Sequence, residues 1–297
     1  AMKLNRRRFL SISAACMLAT PARAQIHRWQ GRALGAEVDI TLHAPAEIAE
    51  PALDRARGSL DAVMAQFDLF DPASTVSRLN RTGHLDAPDV MFRRLMQACT
   101  QVHAATGGLF DPTVQPLWRA LAEGQPPEAA RALIDWSRVR HSAASVTLGE
   151  GQALTFNGIA QGFATDLVAE ALRDAGLERT LVNIGEFRGT GGPWRLGISD
   201  PEIGMIGTRT LTSSAIATSS PKAVPLGGKG HILHGHAKPR WSTVSVEAAT
   251  ATMADGFSTA LTMARLEDIR AAVGTFGIRR ITLVSDQGDV SRVEAPA

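Results

Sequence analysis

The chain has 297 residues, of which 44% are hydrophobic, with 31 Lys and Arg against 29 Asp and Glu. Residues 1–24 hold five of the basic residues and no acidic one, so the remainder carries 26 basic against 29 acidic residues. That slightly acidic remainder gives no electrostatic case for nucleic-acid binding or a membrane-surface role, and its length suits one large domain or two small ones.

The opening reads NRRRFLSISAACMLATPARA: three arginines (Arg6, Arg7, Arg8), an apolar run from Phe9 to about Ala19, then Ala22-Arg23-Ala24. A basic start, a short apolar run and an A-x-A site make a cleavable export signal. The run falls short of the ~20 residues a membrane-spanning helix needs. Consecutive arginines before Phe9-Leu10 resemble the twin-arginine signal, which implies the twin-arginine export machinery as a partner and the periplasm as destination. Cys16 lacks the leucine that a lipoprotein signal places three residues earlier. Past the signal only Cys99 remains, so no intrachain disulfide is expected, and its apolar-periodic surroundings make it a core thiol. No low-complexity tract or Pro/Ser linker divides residues 25–297, which read as a single domain.

Arg32 to His43 alternates and predicts a strand, and Ile48 to Phe67 has helical spacing, broken at Asp71-Pro72. A second helix is expected from about Val90 to Thr106, stopped by Gly107-Gly108. Residues 109–121 read as a connection around Pro112 and Pro116, followed by a short helix near 127–135 and strands near 144–148 and 153–156. Ile159 to Ala175 predicts a helix ending at Gly176, with strands near 180–184, 194–199, 207–212 and 215–218 beyond it. Residues 221–239 read as irregular. A strand at 242–248, a helix from Asp255 to about Arg265, a helix to Phe276 and two closing strands complete the chain. Helices and strands come in blocks, which argues for an α+β fold with mostly antiparallel sheet. No GxGxxG joins a strand to a helix and no phosphate-loop lysine pattern occurs, so a dinucleotide fold of the Rossmann type is not expected.

Several short stretches could carry chemistry. Asp255 and Thr259 in MADGFSTALTMA are four apart, so a helix puts a carboxylate and a hydroxyl on one face. Such a pair suits a hard cation, which wants oxygen ligands; equally, Asp255 reads as an N-cap with Thr259 facing the core. In TFNGIAQGFATD, Gly158 and Gly162 either let a helix pack closely or expose a carbonyl and first-turn amides to a ligand. His231, His234 and His236 follow a glycine-rich turn, but no further His or Cys completes a four-ligand transition-metal site nearby. Phe110-Asp111-Pro112 reads on its own as a tight turn.

Taken together and in order, these stretches resemble the ApbE-type FAD:protein FMN transferases. The resemblance runs from about Ala33 to Arg280 through RALGAEVDITLH, FDLFDPASTVSRLN, TGGLFDPTVQPLW, FNGIAQGFATDLVAEAL, LVNIGEFRGTGGPWRLGISDP, AIATSS, GHIL and MADGFSTAL. It implies an α+β fold of T-fold-like duplicated antiparallel sheets with packed helices. It also implies a reaction: FAD is cleaved at its pyrophosphate with Mg²⁺, FMN is attached to a Ser or Thr hydroxyl of an acceptor flavoprotein, and AMP leaves. By the same comparison, the Gly158 carbonyl, Asp255 and Thr259 hold the metal, and His231 deprotonates the acceptor hydroxyl. Leu34 packs on the flavin, Phe70 covers its ring, and Leu109, Phe110, Asp111, Ile232 and Leu233 contact FAD. Thr155 and Gln161 stand where the family often has Asp and Lys, which removes an acceptor on the adenine side and a cation near the phosphates. NGIAQG, NIGEFR and ADGFSTA resemble a sub-branch that includes accessory proteins of nitrous-oxide reductase maturation. A non-catalytic FAD carrier and an FAD pyrophosphatase are the alternatives this pattern leaves.

Overall fold

Two residues of positive φ, Leu34 (49°) and Gly35 (78°), split the first expected strand. The stretch read as one strand, Arg32 to His43, holds the end of β1 (Ile26–Ala33), a turn and all of β2 (Ala36–His43), which form a hairpin with Ala33 opposite Ala36. A two-residue turn with both φ values positive matches the twist of its strands, but Leu at the first position gives no sequence signal for it. The computed structural model describes residues 25–296, so the export signal read in residues 1–24 lies outside the described residues.

Next come α1 (Ala46–Phe67) and α2 (Thr75–Thr82), the latter capped by Ser74, whose hydroxyl accepts from the Ser77 N–H at 3.2 Å. A small sheet of β3 (His84–Asp86), β4 (Arg140–His141) and β5 (Ser145–Thr147) brackets α3 (Val90–Ala105), α4 (Gln115–Ala122) and the single turn α5 (Glu128–Arg131). Residues 115–122, expected as connection, are helical because Pro116 falls in the first turn, where a missing N–H costs nothing. Residues 153–156 are largely buried but join no sheet. Asn80 takes the place of a neighbouring strand: its Oδ1 accepts from Leu154 N at 2.7 Å and its Nδ2 donates to Leu154 O at 2.8 Å.

The second part holds α6 (Ala160–Asp174), β6 (Thr180–Ile184), β7 (Phe187–Thr190), the hairpin β8 (Trp194–Asp200) and β9 (Gly204–Leu211), and β10 (Ser214–Ser219). Within the stretch read as irregular lies a two-stranded ribbon, β11 (Pro225–Leu226) and β12 (Lys229–Gly230). Then follow β13 (Thr243–Ala248), α7 (Ala251–Leu261), α8 (Leu266–Ala272), β14 (Arg280–Val284) and β15 (Val290–Glu294). The helix expected to start at Asp255 thus starts four residues earlier, and Thr250 is its N-cap.

The main sheet is antiparallel throughout, in the order β1-β2-β6-β7-β10-β13-β14-β15. Each half of it is built alike: two strands, an excursion through helices, two strands, with α6 entering one half and α7 and α8 the other. Side chains alternate across this sheet. Val182 and Ala217 join the core under the helices, whereas Leu181 and Ile216 join a smaller cluster with Trp194, Leu196 and Leu211 of the β8–β9 hairpin.

The two central helices cap each other. The N-cap residue of α6, Ile159, offers no side-chain bond, and the Gly162 N–H instead donates to Asp255 Oδ2 of α7 at 2.9 Å. In return Asp166 of α6 accepts from the Ala251 and Thr252 N–H groups at the start of α7, at 2.8 and 2.9 Å. Each capping interaction is worth about 1 kcal/mol. Together they fix the relative position of the two helices that bear the candidate chemistry.

Candidate active site

The segment leading into α6 is held rigid from beneath. Phe156 is buried against Phe67 and Phe92, with ring centroids 5.4 and 5.7 Å apart, and Ile159 is buried on the other side of Asn157-Gly158. Aromatic pairs of this kind add about 0.5–1.5 kcal/mol each beyond their burial. Between these anchors the Gly158 carbonyl accepts from the Thr259 hydroxyl at 3.3 Å. A methyl group on Gly158 would lie 2.9 Å from Thr259 Cγ2, so any side chain there would have to shift Thr259. Gly162 is tighter still: a methyl there would collide with the Ala251 carbonyl oxygen and reach Asp255 Cβ.

Above this junction opens a cavity of about 810 Å³, within the usual range for small-molecule sites. Gly158, Thr155 and Gln161 line it from the α6 approach, Asp255 and Thr259 from α7, and Leu109, Phe110 and Asp111 from the loop after α3. His231, Ile232 and Leu233 close it from the loop after β12. Leu34 and Phe70 are not among the lining residues. Leu34 sits in the β1–β2 turn, where its carbonyl accepts from Gln161 Nε2 at 3.1 Å. Phe70 lies on the surface, 68% exposed.

Glu186 and Asp255 are the two buried carboxylates that line the cavity. Asp255 is 3% exposed and Glu186 7%. Burial pushes the Asp255 carboxyl up to about 7, the Gly162 N–H pulling it down and the Asp166 charge adding to the rise. Burial likewise raises Glu186 well above the usual carboxylate range, with the Asp255 charge adding to it and the Thr218 N–H opposing. Asp166, the capping counterpart of Asp255, is neutralised by Arg188 Nη1 at 2.5 Å. Among the described residues neither Asp255 nor Glu186 has such a cation.

The Gly158 carbonyl, the Asp255 carboxylate and the Thr259 hydroxyl are all oxygen donors, the set a hard divalent cation takes. The unneutralised carboxylate beside the cavity fits such an ion. Three protein donors leave positions for water and for substrate phosphate, as Mg²⁺ sites commonly do. A softer metal finds no such set: among the described residues no three His, Cys, Asp or Glu side chains converge on one point. His234 in particular is occupied by backbone. Its Nε2 donates to the Gly108 carbonyl at 3.1 Å, and its Nδ1 accepts from the His236 and Ala237 N–H groups at 3.1 and 2.9 Å. It ties the 231–237 loop to the turn before Leu109.

His231 is arranged differently. Its Nδ1 lies 3.1 Å from the Pro221 carbonyl, which can only accept, so the ring proton is on Nδ1 and Nε2 is the basic nitrogen of the neutral ring. Burial lowers its affinity for a proton, against the pull of the Pro221 and Val224 backbone. The imidazole is therefore neutral at neutral pH and able to accept a proton.

Asp111 caps a turn, its Oδ1 accepting from the Thr113 N–H at 2.9 Å and hydroxyl at 2.6 Å. Glu186 escaped the sequence reading. Its signal is a carboxylate two residues after the largely buried strand Thr180–Ile184, where a buried charge needs a reason. Arg28 and Arg32, four apart and so on one face of β1, also line the cavity.

The model of the ApbE family matches residues 34–280. An FAD:protein FMN transferase of Rhodobacter capsulatus is 28% identical over 231 residues, 66% of this chain and 43% of that protein, so the chain spans less than half of that relative's length. The flavin transferase ApbE structure from Vibrio cholerae superposes with a TM-score of 0.77 at 21% identity, covering 92% of this chain and 98% of that one. The apo flavinyl transferase ApbE of Pseudomonas stutzeri gives 0.77 at 24% identity, covering 91% and 95%. The ApbE protein of Thermotoga maritima gives 0.78 at 24% identity, covering 91% and 97%. At these identities the structures speak for the fold, mixed α+β with antiparallel sheets and packed helices.

Proposed function

The chain belongs to the ApbE family, and from that premise we propose that it transfers FMN from FAD to a Ser or Thr hydroxyl of an acceptor flavoprotein, releasing AMP. One observation carries the reading. The cavity of about 810 Å³ gathers the Gly158 carbonyl, Asp255, Thr259 and His231, a set of oxygen donors and a neutral base.

In this account FAD occupies the cavity as substrate, against the apolar walls of Leu109, Phe110, Ile232 and Leu233, which keep water from the reacting groups. Gly158, Asp255 and Thr259 hold a divalent cation, Mg²⁺ by the chemistry of the donors, which supplies charge stabilisation to the pyrophosphate. The acceptor hydroxyl gives its proton to Nε2 of His231 as its oxygen attacks the FMN-side phosphorus. A new phosphoester bond forms, the bond from that phosphorus to the bridging oxygen breaks, and AMP leaves with that oxygen. His231 then returns its proton to solvent. Gln161 directs its amide to Leu34 O and adds no positive charge near the phosphates. That feature favours a second reading, an FAD carrier without turnover.

The acceptor is an exported protein under this proposal. The Arg6-Arg7-Arg8 run before Phe9-Leu10 supports twin-arginine export to the periplasm, and NIGEFR supports the nitrous-oxide reductase maturation sub-branch with a membrane-anchored acceptor. The test is to mix the protein with FAD, Mg²⁺ and a periplasmic acceptor domain, then to view a denaturing gel under ultraviolet light while assaying AMP. A metal-dependent fluorescent acceptor band supports transfer. Bound FAD with neither band nor AMP supports the carrier, and AMP without a band supports a pyrophosphatase.

A further inference from the structure

We propose that Glu186 is a further oxygen donor for the divalent cation, acting beside Asp255 in the cavity. The inference rests on the metal-dependent reading above and adds a residue to it.

Three structural relations converge on this assignment. Glu186 lines the same cavity as Asp255, Thr259 and Gly158, and it is more than nine-tenths buried there. The two carboxylates are held in the same manner by different elements. Asp255 Oδ2 accepts from the Gly162 N–H of α6, and Glu186 Oε2 accepts from the Thr218 N–H of β10 at 3.0 Å. Among the described residues each keeps its second oxygen without a hydrogen-bond partner. Finally, β10 links the two sides, because the residue after Thr218, Ser219, places its hydroxyl 3.3 Å from Thr259 Oγ1. Glu186 is thereby set one residue along the strand from a group that touches the Thr259 hydroxyl.

A purely structural role accounts for only half of this side chain. Holding the Thr218 N–H needs one acceptor oxygen, which a neutral glutamine supplies equally well. A buried carboxylate in that position faces the full desolvation cost of its charge unless a cation meets it. Arg188, the nearest arginine in sequence, is engaged with Asp166 instead. With a divalent ion present, Glu186 and Asp255 together neutralise it, leaving the remaining positions to Thr259, the Gly158 carbonyl, water and phosphate.

Glu186→Gln separates the two roles, since it keeps the acceptor for Thr218 and removes the charge. Mn²⁺ is titrated into the protein, with and without FAD, and free Mn²⁺ is read from its electron paramagnetic resonance signal. FAD affinity without metal is measured in parallel by flavin fluorescence. The proposal expects Glu186→Gln to weaken Mn²⁺ binding about tenfold or more. It also expects the variant to melt, metal-free, at or above the wild-type temperature and to bind FAD as the wild type does. Wild-type Mn²⁺ affinity in Glu186→Gln, alongside its loss in Asp255→Asn, overturns the role of Glu186 and leaves the metal reading standing. A wild-type protein that takes no Mn²⁺ under either condition overturns both. If Glu186→Gln does not fold, Glu186→Asp replaces it, with weakened Mn²⁺ binding supporting the assignment and unchanged binding overturning it.

Discussion

Asp166 and Asp255 occupy matching positions in the two halves of the fold, each a carboxylate on one central helix that caps the start of the other. Only one of them is neutralised. Arg188 pairs with Asp166 at 2.5 Å, whereas Asp255 faces the cavity with no cationic partner among the described residues. A shared architectural device thus serves stability on one side and, in our reading, chemistry on the other.

The first prediction concerns the stabilising side. Asp166→Asn leaves Arg188 without its partner and weakens the caps on Ala251 and Thr252, and breaking a largely buried ion pair costs about 3–5 kcal/mol. Chemical denaturation should show a loss of that order. A loss below about 1 kcal/mol would mean that α7 is held by packing alone.

Asp255→Asn should behave in the opposite way. The amide oxygen still accepts from Gly162, so the fold persists, but the charge that meets a cation is gone. Metal-dependent turnover is expected to fall at least about a hundredfold, the scale of losing one preorganised electrostatic contact. Unaltered AMP release and acceptor labelling in this variant would remove Asp255 from the metal site.

The helix contact itself is testable through Gly162→Ala. The added methyl meets the Ala251 carbonyl and Asp255 Cβ, so α6 and α7 must separate. Overpacking of this kind costs about 1–3 kcal/mol, and FAD affinity should drop with it. An alanine variant as stable as the wild type would show that the junction can relax.

His231 sets the pH dependence. Its proton is bound more weakly than the usual 6.5 of imidazole, chiefly because the ring is buried. Below 6.5 the unfolded chain therefore binds more protons than the folded one, so this contribution to stability is full above 6.5 and declines as the pH falls towards the folded value. The base likewise stays neutral to a lower pH than free imidazole, and with saturating metal holding Asp255 ionised against its raised value of about 7, the acid limb of kcat/KM should lie below 6.5. His231→Ala should slow transfer about 10²–10⁴-fold while changing FAD affinity far less. A proportional loss of both would make His231 a binding residue.

What was legible in the sequence follows from what periodicity can encode. The apolar spacing of α1, α3 and α6 marked those helices, and the block order of elements gave the α+β class. The β1–β2 turn was hidden because Leu34 takes a left-handed conformation with no Asn-Gly signal. The 153–156 segment looked like a strand because it is apolar and buried, yet its ladder is replaced by the side chain of Asn80, seventy-four residues earlier than Leu154. At the site, Asp255 and Thr259 were readable from their spacing of four. Glu186 was not singled out because its meaning depends on Thr218 and on a cavity that only the folded chain creates. The three histidines looked alike in sequence, and only backbone geometry separates His231, with its basic nitrogen, from His234, whose ring is spent on holding a loop.

The most direct test of the central claim is a crystal structure of the protein with FAD and Mn²⁺, collected for the anomalous signal of the metal. The account predicts a single metal peak bonded to the Gly158 carbonyl, Asp255 and Thr259 at close to the roughly 2.0–2.1 Å of Mg²⁺, with the FAD pyrophosphate on its open side and His231 facing the FMN-side phosphorus. FAD bound outside this cavity, or a metal peak away from Asp255, would contradict it.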